Sequence, residues 1–122
     1  MLDDRTTTPD PELPAEVLTW NYDDNITGWG GALLGDGEPS VYAAPARAED
    51  LSGLPPTYLD VGDLDIFRDE NIAYAARLSA AGVPTELHVH PPGCPHAWEA
   101  LAPTAAVSKR VVADRIRRLR AI

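Results

Sequence analysis

Hydrophobic and polar positions are most regular in the second half of the chain. Thr57-Tyr58-Leu59-Asp60-Val61 is rich in strand formers and follows a proline pair, which predicts a β-strand. Over residues 69–81 the pattern becomes helical. Ile72, Ala75, Ala76 and Leu78 make an apolar face, Asp69 and Glu70 suit the first turn, and Gly82 and Pro84 stop the helix. Thr85-Glu86-Leu87-His88-Val89-His90 predicts a second strand, ended by Pro91-Pro92-Gly93. A last helix is expected from about Pro103 to Leu119, with Pro103 near its first turn. Val112, Ile116 and Leu119 have the spacing of a buried stripe in it.

The first half is less regular. Residues 1–15 are polar and punctuated by Pro9, Pro11 and Pro14, which suggests an ordered loop or lead-in arm. Val17, Leu18, Trp20, Ile26, Trp29, Leu33 and Leu34 suggest one or two short helices over residues 16–34, weakened by Gly28, Gly30 and Gly31. Gly35-Asp36-Gly37-Glu38-Pro39 is a break. Residues 40–56 read as connection, with a helical turn near residues 46–51. One domain is expected: loop and short helices over 1–56, then strand, helix, strand, helix over 57–122. That order is the α/β pattern, and a helix between two strands implies parallel strands joined by a right-handed crossover.

Composition narrows the function classes. The formal charge is −9, unevenly spread. Six of the ten basic residues, Lys109, Arg110, Arg115, Arg117, Arg118 and Arg120, fall in the last fourteen. With Asp114 they give that tail +5 and leave −14 on residues 1–108. An acidic body repels phosphate, so no nucleic-acid partner is expected. The basic tail fits the C-terminal end and solvated face of a helix. No apolar run is long enough for a membrane span. Met1-Leu2-Asp3-Asp4-Arg5 is unlike a signal peptide, and the single Cys94 has no disulfide partner, so a cytoplasmic location is expected.

In a parallel sheet, ligands bind beyond the carboxyl ends of the strands. That rule selects Gly62-Asp63-Leu64-Asp65 after the first strand and Gly93-Cys94-Pro95-His96 after the second. A carboxylate and an imidazole at one sheet edge suit hydrolysis. The histidine would take and return a proton near neutral pH, and the acid would fix its tautomer. Asp65 and His96 are the expected acid and base, in the chain order Asp then His of α/β-hydrolases. Plain readings stand beside this one: a loop aspartate is often a turn former, and a loop histidine is often polar surface. Asp63 ranks second for the acid, and Asp69 is better explained as a helix start. Two further readings are a Cys94 thiol nucleophile and a three-histidine metal site from His88, His90 and His96.

The words around these residues resemble the hormone-sensitive-lipase-like branch of the α/β-hydrolase family. The segment Tyr58-Leu59-Asp60-Val61-Gly62-Asp63-Leu64-Asp65-Ile66-Phe67-Arg68-Asp69-Glu70 is similar to its acid-bearing stretch. Gly82-Val83-Pro84-Thr85-Glu86-Leu87 is similar to its next turn and strand, and Pro92-Gly93-Cys94-Pro95-His96-Ala97-Trp98 to its histidine loop. The likeness extends to Met1-Leu2-Asp3-Asp4-Arg5, to Trp20, Asn25 and Gly28-Trp29, to Ala32-Leu33-Leu34-Gly35 and to Tyr42-Ala43-Ala44-Pro45. It implies the C-terminal, incomplete part of an α/β-hydrolase sheet. It also implies a carboxylic-ester hydrolase acting on small-molecule esters through an acyl-serine, with Asp65 and His96 as acid and base and no cofactor. By the same likeness Trp20 and Trp29 border a substrate pocket, or else simply pack helices.

The sequence lacks the family's nucleophile elbow. Ser40, Ser52, Ser79 and Ser108 have no Gly-x-Ser-x-Gly around them, and no glycine-rich loop offers oxyanion donors. A truncated reading frame, split gene or fragment is therefore expected, inactive on its own. The first strand is expected to leave an open sheet edge, a template for self-association or for an N-terminal fragment. The competing class is a non-catalytic remnant or interaction module.

Overall fold

The computed structural model describes residues 1–33 and 37–121, and the side chains of these except at residues 31–33. In chain order the elements are α1 (Tyr22–Thr27), β1 (Thr57–Gly62), α2 (Arg68–Ala80), β2 (Thr85–His90), α3 (Trp98–Leu101) and α4 (Ala106–Leu119). A 3-10 turn precedes α1 at Ala15–Val17, a π-helical turn follows it at Gly28–Leu33, and another 3-10 turn spans Pro45–Arg47. Leu34 and the first two residues of the expected break at 35–39 lie outside the described residues.

Local chemistry explains the boundaries. Asn21 and Asp24 start α1 with a capping box, each side chain accepting the other's backbone N–H at 3.0 Å. α2 ends where Gly82 takes φ +78°, a region costly for other residues, so that the Val83 N–H reaches the Leu78 carbonyl at 3.0 Å. The last helix starts at Ala106 rather than near Pro103, and the short α3 ends before that proline. Ala102 sits at φ −131°, ψ 63°, as the residue before a proline is pushed out of helical space, and the chain re-enters a helix at Ala106.

β1 and β2 pair in parallel, from Thr57 opposite Thr85 to Gly62 opposite His90. Side chains alternate between the two faces of the sheet. On one face Leu59 packs with Leu51, Tyr74, Ala75, Leu78 and Val83, and Leu87 lies against this cluster. α2 buries Asn71, Tyr74, Ala75 and Leu78 there, at i, i+3, i+4 and i+7. The expected face is rotated: Ile72 is 41% exposed and Ala76 is exposed. The Asn71 amide makes its inward position possible by donating to the Phe67 carbonyl at 2.8 Å.

The opposite face carries Tyr58, Asp60, Glu86, His88 and His90. α4 meets it with cations. Arg115 grips Asp60 through Nε at 2.8 Å and Nη2 at 2.6 Å, and donates through Nη1 to Glu99 at 2.6 Å. Arg117 and Arg118 pair with Glu86. This turns the expected buried stripe outward: Val112, Ile116 and Leu119 are 43%, 42% and 70% exposed, while Ser108 and Val111 are buried. Burial works to raise the Asp60 carboxyl, and the Arg115 guanidinium overrides it and holds the group below its ordinary value. Among the described residues β1 pairs only with β2, which leaves its other edge open.

The lead-in arm is tied down at several points. The buried Glu70 carboxylate accepts from the Leu2 N–H at 2.6 Å and the Thr6 hydroxyl at 2.5 Å. Arg47 holds Asp4 with paired contacts of 2.6 and 2.8 Å, and the fully buried Asn25 donates to the Thr6 carbonyl at 2.7 Å. The arm is thereby tied to the first turn of α2 through Glu70.

Candidate active site

The loop after β1 folds on its aspartates. The Asp65 carbonyl accepts from the Arg68 N–H at 3.0 Å and Asp65 Oδ1 accepts from the Phe67 N–H at 3.0 Å, a side-chain turn that launches α2. The second oxygen, Oδ2, lies 2.9 Å from His96 Nδ1. The Asp65 side chain is 6% exposed and that of His96 is 41% exposed. A carboxylate facing Nδ1 favours the tautomer with the ring proton on that nitrogen, which makes Nε2 the acceptor.

The loop after β2 is shaped for this approach. Ala97 follows the histidine at φ +56°, a left-handed conformation that costs about 1 kcal/mol outside glycine and suits a small residue. The Thr19 hydroxyl donates to the His96 carbonyl at 2.6 Å. The Phe67 ring stands edge-on to the imidazole with centroids 5.5 Å apart, and Trp20 lies 6.2 Å away. Thr19 escaped sequence reasoning because its partner is 77 residues away and a lone threonine in a short helical segment carries no signal.

The other candidates fall elsewhere. Asp63 accepts the Cys94 N–H at 3.2 Å, and Asp69 sits in the first turn of α2, paired with Arg68. Cys94 is buried, and burial followed by the Asp63 charge pushes its thiol up, away from the thiolate a nucleophile needs. His88 stacks on His90 and contacts Glu86, while His90 packs on Trp98, so these rings belong to the α4 face and stand apart from the Asp65–His96 pair. Among the described residues no group of three or more His, Cys, Asp or Glu could hold a metal ion. Trp29 is buried in packing, whereas Trp20 borders the histidine.

Residues 1–100 match the family described as alpha/beta hydrolase fold. The chain belongs to that family. Esterase LipI of Mycobacterium tuberculosis (strain ATCC 25618 / H37Rv) is 50% identical over 50 residues, 41% of this chain and 16% of that protein. Among solved structures, a bacterial heroin esterase superposes with TM-score 0.76 at 45% identity, over 93% of this chain and 37% of its own. Esterase LipW from Mycobacterium marinum superposes with TM-score 0.81 at 36% identity, over 98% and 37%. This α/β-hydrolase chain thus spans well under half the length of those structures. No helix among the described residues is long and apolar enough to cross a membrane.

Proposed function

We propose that Asp65 and His96 are the acid and base of a Ser-Asp-His carboxylic-ester hydrolase, acting on small-molecule esters. The observation that carries this reading is the 2.9 Å contact between Asp65 Oδ2 and His96 Nδ1, made by a buried acid and a half-exposed base. In the reaction, a serine hydroxyl attacks the ester carbonyl while His96 Nε2 takes its proton. The imidazolium, stabilised by Asp65, returns that proton to the departing alkoxide, leaving an acyl-serine that water hydrolyses by the same relay. The serine and the oxyanion donors come from the part of the hydrolase fold that this sequence does not hold, and no cofactor is needed. Loss of the nucleophile from a triad removes nearly all of its chemical advantage.

The chain alone is therefore expected to hydrolyse p-nitrophenyl acetate at the background rate. Co-expression with the segment of the bacterial heroin esterase outside the superposed region is expected to give p-nitrophenol release that His96→Ala abolishes. Release by the isolated chain, lost in His96→Ala, would refute the division of labour. Release by the pair that survives His96→Ala would refute the role of the histidine.

A second reading, an interaction module without catalysis, is favoured by the open β1 edge and by the exposed Val112, Ile116 and Leu119 stripe of α4. Self-association, or docking of an N-terminal portion of the fold, would use the same surface.

A further inference from the structure

The two loops that carry Asp65 and His96 meet main chain to main chain. A methyl group built on Gly62 would overlap the Cys94 carbonyl, so this approach requires the glycine. At this closest point the loops exchange hydrogen bonds: the Leu64 N–H donates to the Cys94 carbonyl at 3.1 Å, and the Asp63 carboxylate accepts the Cys94 N–H at 3.2 Å. Arg68 Nη1 holds the Asp63 carbonyl at 3.1 Å, while its other nitrogens reach Asp69 and Asp10. Asp63 is thus anchored from α2 and reaches across to the residue two before His96.

We infer that Asp63 is a positioning residue, whose carboxylate oxygen staples the histidine loop to the acid loop and sets His96 Nδ1 within reach of Asp65. This deepens, and rests on, the reading of Asp65 and His96 as acid and base. A neutral backbone N–H needs only an acceptor oxygen, so the role calls for the oxygen rather than for the charge. That separates it from the acid role, in which the negative charge stabilises an imidazolium. The Thr19 hydroxyl holds the far side of the same loop at the His96 carbonyl, so the loop is clamped on two sides.

The test uses the 122-residue chain and needs no activity. Long-range 15N–1H spectra report which His96 nitrogen carries the proton, and amide exchange reports Cys94. In the parent chain Nδ1–H is expected to dominate and the Cys94 amide to be protected. Asp63→Ala is expected to lower the Nδ1–H share and to speed Cys94 exchange about tenfold, the loss of one hydrogen bond. Asp63→Asn keeps an acceptor oxygen, so it is expected to restore both readouts. Asp63→Ser, too short to reach, serves if the alanine variant does not fold, and protection of Leu78 in α2 shows that the fold is intact. An asparagine variant that shifts the tautomer as strongly as Asp65→Asn would overturn the inference, since charge would then be what matters. So would unchanged Cys94 exchange in the alanine and serine variants. If Asp65→Asn leaves the tautomer unmoved, the acid–base reading fails, while Cys94 exchange still decides the staple.

Discussion

At the scale of residues, His90 is the side chain whose environment gives the clearest pH effect. It is 5% exposed, and burial holds its imidazole below the ordinary histidine value, with Asp60 pulling the other way. The folded protein therefore keeps His90 neutral where the unfolded chain, titrating near pH 6.5, already binds a proton. The unfolded state binds more protons in that window, so stability rises with pH there and is lost as pH falls from about 6.5 toward the lower folded value. His90→Phe removes the titration and keeps a ring against Trp98. Urea midpoints between pH 7.5 and 5 are expected to fall more steeply for the parent chain than for the variant. Parallel profiles would sink this account.

Residue by residue, legibility followed locality. Asp65 and His96 stand out in the sequence because each lies a few residues past a strand, where the parallel-sheet rule directs attention. Sequence spacing ranks Asp63 only second for the same role, since both aspartates share the loop. The hydrogen bond to the Cys94 N–H, which gives Asp63 a different task, exists only once the two loops touch. Thr19 and Glu70 act across 77 and 68 residues, and no local pattern encodes such distances. The Arg68-Asp69-Glu70 word acquires physical content in the fold: Arg68 fixes the loop that carries Asp65, and Glu70 fixes the lead-in arm at Leu2 and Thr6.

Among elements, α4 shows why an apolar stripe can mislead. The i, i+4, i+7 rule assumes that a helix seeks an apolar surface, and the sheet face offered to α4 is polar. The alternation of Glu86, His88 and His90 with Leu87 and Val89 already contains that information, but only when read together with Tyr58 and Asp60 at the matching register. The Asp60 side chain is 8% exposed and Arg115 is 37% exposed. Arg115→Met leaves Asp60 without its cation and is expected to cost about 2 kcal/mol in urea unfolding, less than for a fully buried pair because the arginine is partly hydrated. Asp60→Asn in the same background is expected to recover part of that loss. A variant as stable as the parent would show that α4 is held by Val111 and its neighbours instead.

For the molecule as a whole, the open β1 edge and the outward stripe of α4 both leave surface for a partner. A groove of about 330 Å³, lined by Pro56, Tyr58, Arg115, Arg118 and Leu119, lies between the start of β1 and the end of α4. Sedimentation velocity over a hundredfold concentration range is expected to show association of the isolated chain, and Ile116→Lys with Leu119→Lys is expected to weaken it. Both positions are exposed, so the substitutions should leave the unfolding midpoint nearly unchanged. A parent chain that stays monomeric throughout would count against this surface. The α/β class and the parallel crossover were readable from element order alone, whereas the orientation of each helix on the sheet was not, because it depends on which face of the sheet is charged.

The glycine that lets the two loops touch has one more consequence. With Gly62 at the last register pair, opposite His90, the approach of the loops that carry Asp65 and His96 is set by backbone contact and strand alignment. The sheet behaves as a ruler graduated in steps of about 3.3 Å per residue. A slip of one graduation between β1 and β2 would carry His96 out of reach of Asp65, so their 2.9 Å contact can be read as a gauge of whether the strands are in register.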